Sequence, residues 1–403
     1  MQMERPGMIA VIDLPRQIDP ELAADIEKES VFVSPFLSAL RVTDGRTAVE
    51  LEIADGARDA EVKGKVERFL EAMLKRVHRF EPKVFLRHER RDPGALATDV
   101  NRELERRGWL FSYGRGQIAL SGPALALAEL IDAKAAALYA RHFDAEPRSY
   151  PAFVDADILH RCGYFDSHPN ALSFVGHMVE DFDALEQFRQ ANSCAEGALM
   201  PDAEHLHLPG LCLNPAACFP CYPTLEGHTI GDKGAAFSWK GRVFRYESRN
   251  IVGLDRLWEF NVRELVFVGS GAHVAECRQR VLPVVGELAT IFDLECRVET
   301  ASDPFFATVS AARTFWQRSQ DVKNEIILTI DPGPDGRQRE IAGGSINLHG
   351  KFFGTRFAIA TTDGTAATAC VGLGIERWVL AAFSQHGFDP ERWPVGVRQE
   401  IFG

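Results

Sequence analysis

No stretch of this chain is apolar over anything near the roughly 20 residues that crossing a bilayer requires. A membrane-spanning helix is therefore not expected. The opening MQMERPGMIAVIDLP has neither a long apolar stretch nor a small-residue cleavage site, which predicts no secretory signal and a cytoplasmic location. Cysteine is sparse, eight in 403 residues. That argues against a disulfide scaffold and makes thiols or thiolates the default state. Positive charge is also short: 45 Lys and Arg stand against 57 Asp and Glu, a formal net charge of -12. Nucleic-acid binders usually show the opposite balance, because each phosphate contact wants a cation. A nucleic-acid partner is disfavoured, with a local basic patch as the exception to look for. Repeats and low-complexity tracts are missing as well.

What is present is enough material for about two to three domains, with 46% hydrophobic residues to fill their cores. Residues 30–53 read as three short strands, VFVSPF, ALRVTD and the strictly alternating AVELEIAD. Over 59–79, Val66, Phe69, Leu70, Met73, Leu74 and Val77 recur at helical spacing, while Lys63, Lys65, Arg68, Lys75, Arg76 and Arg79 supply a basic face. A short helix near 96–107 and a hairpin, Leu110–Tyr113 with Gln117–Leu120, follow an Asp92-Pro93-Gly94 turn. These make a small α/β domain at 1–120. Beyond Gly122-Pro123 the chain reads as a helix over 124–143, a strand through Pro151 and another helix. From 208 onward short apolar runs are separated by Gly and Pro turns, with helices at 272–292 and 373–385. Strands joined by long connections predict an α+β domain with an antiparallel sheet over 121–403.

Three features carry chemistry. In Phe244-Arg245-Tyr246-Glu247, residues two apart share a strand face, so Arg245 and Glu247 point together. An arginine there suits a phosphate, because its planar fork donates two bonds at once. The glutamate suits a base amine. The ordinary alternative is a salt-bridged surface strand. In Gly372-Leu373-Gly374-Ile375-Glu376-Arg377, glycines that permit close backbone approach precede an arginine in the first turn of a helix. The ordinary alternative is a solvated arginine. Cys218-Phe219-Pro220-Cys221 is a lone CxxC. It cannot complete a structural zinc ribbon without a second pair, and free cysteine is most often a small buried hydrophobe. His205 and His207 are further ligand candidates on one strand face.

From about 108 to 398 the order of GYFDSHP, LNPAACFPCYP, FRYESRN, RLWEFNVRELVFVG, GGSINLHGKFFG and TACVGLGIERW resembles the amino acid:[carrier protein] ligases. That family is similar to the catalytic core of the atypical, methanogen-type seryl-tRNA synthetases and has a class II synthetase fold. The resemblance implies an antiparallel sheet flanked by helices; the N-terminal 120 residues depart from the family pattern, either as an added α/β domain or as a reduced relative of the tRNA-binding domain that the larger synthetases carry. It implies that Arg245 holds the ATP α-phosphate and Glu247 reads the adenine amine. Phe260 would stack on the adenine, with Arg377 on its other side and reaching the γ-phosphate. It further implies zinc on Cys218, Glu264 and Cys370, with Cys221 as a competitor to Cys218, and Glu340 as a magnesium contact. The helix at 124–143 and the strand through Pro151 imply a homodimer.

The implied chemistry is coherent. Two thiolates and a carboxylate leave zinc a free position, where an α-amine can bind while the carboxylate meets ATP. The expectation is an ATP-dependent ligase that adenylates a small amino acid and transfers it to the phosphopantetheine thiol of an acidic carrier protein. The basic face of the 59–79 helix, or Arg102, Arg106 and Arg107, would dock that carrier. The net charge leans away from tRNA. Two alternatives stay open: a seryl-type synthetase charging tRNA, and a non-catalytic regulatory paralogue.

Overall fold

The computed structural model describes residues 8–54, 58–75, 82–301, 322–333 and 336–403. In chain order the elements that position the site are β1 (Met8–Asp13), α1 (Pro20–Glu29), β2 (Leu37–Val42), β3 (Ala48–Ile53), α2 (Asp59–Leu74), β4 (Val84–His88), α3 (Val100–Arg106), α4 (Gly122–Phe143), β5 (Glu146–Pro147), β6 (Ala235–Phe244), β7 (Glu259–Gly269), α5 (Gly271–Phe292), β8 (Cys296–Thr300), β9 (Lys323–Ile330), β10 (Arg339–Gly350), β11 (Ala367–Gly374) and α6 (Ile375–His386).

The first five elements form a unit with its own core. The strands make an antiparallel sheet in the order β1-β3-β2. Strict alternation does the work in β3, where Val49, Leu51 and Ile53 are buried between exposed Glu50 and Glu52. Helix α1 starts at Asp19, whose carboxylate accepts a hydrogen bond from the Leu22 amide at 2.8 Å. Helix α2 buries Val62, Val66, Leu70 and Met73 along one stripe. Positions 76–79 of the expected helix, Val77 among them, lie outside the described residues.

The segment VFVSPF differs from its expected strand. Ser30–Phe32 is a single 3₁₀ turn that tightens the end of α1, with the Ser30 amide bonded to Ile26 O and its hydroxyl to Glu27 O. Pro35 has no amide hydrogen to give a ladder, and β2 begins only at Leu37. The strand at Met8–Asp13 is an addition that the sequence reading lacks.

The larger body is built on an eight-stranded sheet in the order β4-β8-β9-β10-β11-β7-β6-β5. Every pairing is antiparallel except that of β6 with β5. One face is covered by α4, α5 and α6, whose Leu127, Ile131, Val281, Leu288, Trp378 and Val379 pack on Leu265, Phe267, Ile326, Ile346 and Val371 of the sheet. Part of the opposite face is closed by Phe219, Tyr222, Phe353 and Phe357. The remainder of that face is open and forms the cavity described below. Val100, Leu104 and Leu110 belong to the larger core, and β4 is an edge strand of its sheet. The self-contained N-terminal core thus runs from Ala10 to Met73, and residue 120 falls inside the larger body.

The expected hairpin is present as Leu110–Gly114 with Gln117–Leu120. Its Gly116, at φ +76°, lies so close to the chain at Trp258 that a Cβ would come within 2.4 Å of the Trp258 nitrogen. The Trp258 amide donates to Gly116 O at 3.1 Å. The hairpin therefore braces the entry to β7. Among the described residues no helix is long and apolar enough to cross a membrane.

Candidate functional site

Register decides which side chains meet. Cys370 of β11 pairs with Asn347 of β10, and Gly372 pairs with both Ser345 of β10 and Glu264 of β7. Alternation turns these residues, with Lys323 and Glu325 of β9, to the open face of the sheet. Cys218 arrives from a separate segment, just before a 3₁₀ turn at Phe219–Cys221. The ligand atoms of Cys218, Glu264 and Cys370 all lie within 4.8 Å of one another, and all three residues are buried.

The electrostatics of this group fit a cation. Burial first, then the charge of Cys370, pushes the Glu264 carboxyl well above the usual carboxylate range. The hydrogen bond with Cys218 and burial push the Cys370 thiol well up. For Cys218, the hydrogen bond from Cys370 pulls the thiol down, but burial and the charge of Glu264 outweigh it. Three anions this close and this buried hold their protons unless a positive ion stands among them. The second layer is in place: Asn347 Nδ2 donates to Cys370 Sγ at 3.6 Å, and His349 Nε2 is 3.6 Å from the same sulfur. Gly372 makes room, since a Cβ there would come within 2.9 Å of Glu264 Oε2.

Cys221 is not part of this group. It is buried, with its thiol pushed up to about 12 by burial, and it hydrogen-bonds with Tyr150. His205 forms a separate surface group with Asp202 and Glu204, and His207 packs against His177 at 5.1 Å between ring centroids.

The same cavity is lined by Arg245, Glu247, Phe260 and Arg377. Strand β6 ends at Phe244, one residue before the expected arginine. The Arg245 amide still bonds to Trp258 O at 2.8 Å, so the alternation carries on past the strand. Arg245 Nε donates to Pro215 O at 2.8 Å, and its guanidinium carbon is 5.7 Å from the Phe260 ring centroid. Glu247 accepts from Arg256 Nη1 at 2.9 Å. Arg377 stands in the first turn of α6, where Nε donates to Asp255 O at 2.9 Å and Nη1 to Ala342 O at 2.8 Å. Burial, then the neighbouring Arg256 and Arg245, lowers Arg377 to about 10. Several cations crowded on one wall favour an anionic occupant.

Glu340 is placed differently. It lies two residues beyond Ala342, the last cavity-lining residue in that direction of β10, and Arg297 takes its carboxylate, with Nη2 to Oε2 at 2.8 Å. Glu325 is a carboxylate that does line the cavity, paired with Lys323 at 3.0 Å. Lys323, Glu325, Arg256, Asn347 and Glu376 are additions to the sequence-level set. The i, i+2 charges of Lys323-Asn324-Glu325 were a readable signal. Glu376 was not, because its role is to accept from the Asn261 amide and side chain across the β7–α6 junction.

No protein-family model matches the chain. An amino acid–[acyl-carrier-protein] ligase of Bradyrhizobium diazoefficiens is 33% identical over 265 residues, which are 64% of this chain and 75% of that one. A type-2 serine–tRNA ligase of Methanopyrus kandleri is 28% identical over 315 residues, 75% of this chain and 60% of that one. The chain thus spans about 60% of the length of the M. kandleri protein. Among solved structures, the M. kandleri SerRS in complex with A. aeolicus tRNASec superposes with a TM-score of 0.69 at 24% identity, over 98% of this chain and 77% of that one. The mixed architecture with its antiparallel-rich sheet is the class II synthetase fold of these neighbours. With a carrier-protein ligase above 30% identity and most of its length spanned, this chain belongs to the family that joins the amino acid–[acyl-carrier-protein] ligases to the methanogen-type serine–tRNA ligases.

Proposed function

We propose that this protein activates a small amino acid with ATP as an aminoacyl adenylate. It then passes the aminoacyl group to the phosphopantetheine thiol of an acidic carrier protein. The observation that carries this reading is the presence of Cys218, Glu264 and Cys370 in one cavity with Arg245 and Arg377. The kinship with a carrier-protein ligase supports the choice of acceptor.

Cys218, Glu264 and Cys370 would suit zinc as two thiolates and a carboxylate, and the ion held there would supply Lewis acidity toward a neutral α-amine. The substrate carboxylate then faces Arg245, whose fork matches the ATP α-phosphate. Glu247 accepts a hydrogen bond from the adenine amine, Phe260 offers its ring to the base, and Arg377 reaches the γ-phosphate from the other side. A carboxylate oxygen attacks the α-phosphorus, and the bond to the bridging oxygen breaks with its electron pair leaving on pyrophosphate. The arginines offset charge as it builds on the phosphoryl oxygens. In the second step the acceptor thiolate attacks the carbonyl carbon and AMP departs. Magnesium accompanies ATP, and Glu325 is better placed to meet it than Glu340, which Arg297 engages. A homodimer formed through α4 and the chain after it, and a cytoplasmic location, belong to the same proposal.

The test is amino-acid-dependent ATP–pyrophosphate exchange across the twenty amino acids, with and without a zinc chelator. Exchange with one or two small amino acids, lost on chelation, is the expected result. No exchange from folded, zinc-loaded protein would transfer the weight to a regulatory paralogue.

A second reading has a tRNA hydroxyl as the acceptor. It is favoured by the similarity to serine–tRNA ligases, and by a fold likeness that includes the N-terminal unit. The net charge does not offset those observations. Offering purified carrier protein and bulk tRNA to the activated enzyme separates the two.

A further inference from the structure

The turn that follows Glu247 is held by the N-terminal unit. Arg249 Nη1 donates to Ser38 O at 2.7 Å, and Nη2 bonds to Leu37 O. Asn250 Nδ2 donates to Lys28 O at 2.8 Å. These acceptors sit where the N-terminal unit has backbone groups to spare. Lys28 lies in the last turn of α1, where carbonyls have no partner within the helix. Leu37 and Ser38 lie on β2, an edge strand of its sheet, where the register with β3 slips between Leu37 and Ala39. The turn itself is costly: Ser248 has φ +52°, a left-handed conformation that a non-glycine residue keeps only when its surroundings hold it.

We propose that Arg249 and Asn250 are positioning residues, which fasten the Glu247 turn to the N-terminal unit and so make that unit part of the nucleotide site. The inference rests on the reading of Glu247 as an adenine contact. Glu247 accepts from Arg256, at the other end of the loop, at 2.9 Å, and Arg256 closes the same loop through its bridge to Val252. Side chains anchored at both ends of the loop fix the carboxylate where a base amine can meet it. The last turn of α1 also lies within electrostatic reach of the pair. Burial, and after it the charge of Arg256, holds the Lys28 ammonium below its ordinary range, while Glu247 acts the other way.

The experiment uses the full chain and compares wild type with Arg249→Ala, Asn250→Ala and Arg249→Lys. ATP–pyrophosphate exchange gives KM for ATP, KM for the amino acid and kcat. Amide hydrogen exchange reads the peptide that carries residues 246–256. The alanine variants should raise KM for ATP on the order of 10-fold, as loss of positioning does. KM for the amino acid should stay near wild type, and hydrogen exchange should rise in 246–256. Arg249→Lys, whose single ammonium nitrogen can still donate but cannot span both carbonyls as the fork does, should recover part of the loss. Active wild type with an unchanged KM for ATP in folded alanine variants overturns the inference and leaves the adenylation reading standing. Equal losses in both KM values and kcat reduce the contact to general stability and also overturn it. Wild type that neither exchanges nor binds ATP overturns the adenylation reading and the inference with it.

Discussion

Cys370 has Cys218 and Glu264 within a shared ligand distance, and Asn347 and His349 against its sulfur. Replacing it by serine keeps the volume and removes a thiolate, so the loss should fall on the metal rather than on packing. Cys370→Ser is predicted to retain less than about a tenth of the wild-type zinc and to lose at least ~100-fold in exchange activity. Metal analysis of the purified variant, with circular dichroism as the check on folding, measures this. Full activity in a folded variant would sink the zinc proposal. Arg245 is anchored through Nε to Pro215 O, with its guanidinium over Phe260. Arg245→Ala is predicted to lower kcat/KM in ATP–pyrophosphate exchange by about 10²–10³, the usual size for a lost charge-stabilising donor. Exchange at the wild-type rate would remove Arg245 from the phosphate role.

At the scale of elements, β7 has two faces with two tasks. Glu264, Phe260 and Val262 turn to the cavity, whereas Arg263 turns to the helices. Arg263 meets Asp132 of α4 in a bidentate pair, with Nε to Oδ1 at 2.8 Å and Nη2 to Oδ2 at 2.7 Å, and both side chains are nearly buried. This pair ties the helix layer to the strand that carries the candidate metal ligand. Asp132→Ala leaves a buried guanidinium without its carboxylate, which should cost about 3–5 kcal/mol of stability. Urea unfolding of the variant checks it; a change under about 1 kcal/mol would mean that water or another acceptor replaces the carboxylate. Much of this layer was legible from periodicity. Helices α4, α5 and α6 fall close to where their apolar spacing predicts, and the Leu110–Leu120 hairpin follows from its glycines. Segment 31–36 was not legible, because its β-branched residues suggest a strand while Pro35 and the end of α1 impose a turn.

For the whole molecule the acceptor is the question, and charge alone does not answer it. The net charge is -12, yet the relatives include both carrier-protein and tRNA ligases. Of the candidate basic patches, Arg106 and Arg107 are paired with Glu103 at 2.7 and 2.6 Å, and on α2 Lys63 and Lys65 pair with Asp59 and Glu61. Among the described residues such pairing leaves Arg68 and Arg102 as the cations of these patches outside an ion pair, with Arg76 and Arg79 outside the described residues. Binding of tRNA is therefore predicted to be weak near physiological salt. Its log affinity should fall with log salt at a slope well short of the 6–10 phosphate contacts of a dedicated binder. Fluorescence titration across salt concentrations reads that slope, and a steep one with tight binding would favour the tRNA reading.

Sequence alone determined the local periods, the sparse thiols and the ordered segments that mark the family. The periods depend on neighbours within a few positions, where backbone preference and alternation act, while thiol count and segment order are read directly along the chain. Tertiary structure decided the rest. Cys218, Glu264 and Cys370 become one group only through the pairing of β7 with β11 and the arrival of a separate turn. The separation of Cys218 from Cys221 has the same origin. Two cysteines three positions apart are alike as a pattern, and only the side of the 3₁₀ turn on which each thiol falls places one at the carboxylate and the other beside Tyr150. The fastening of Glu247's turn to the N-terminal unit was equally unreadable, because it joins side chains to backbone carbonyls more than two hundred residues away, and carbonyls leave no mark in a sequence.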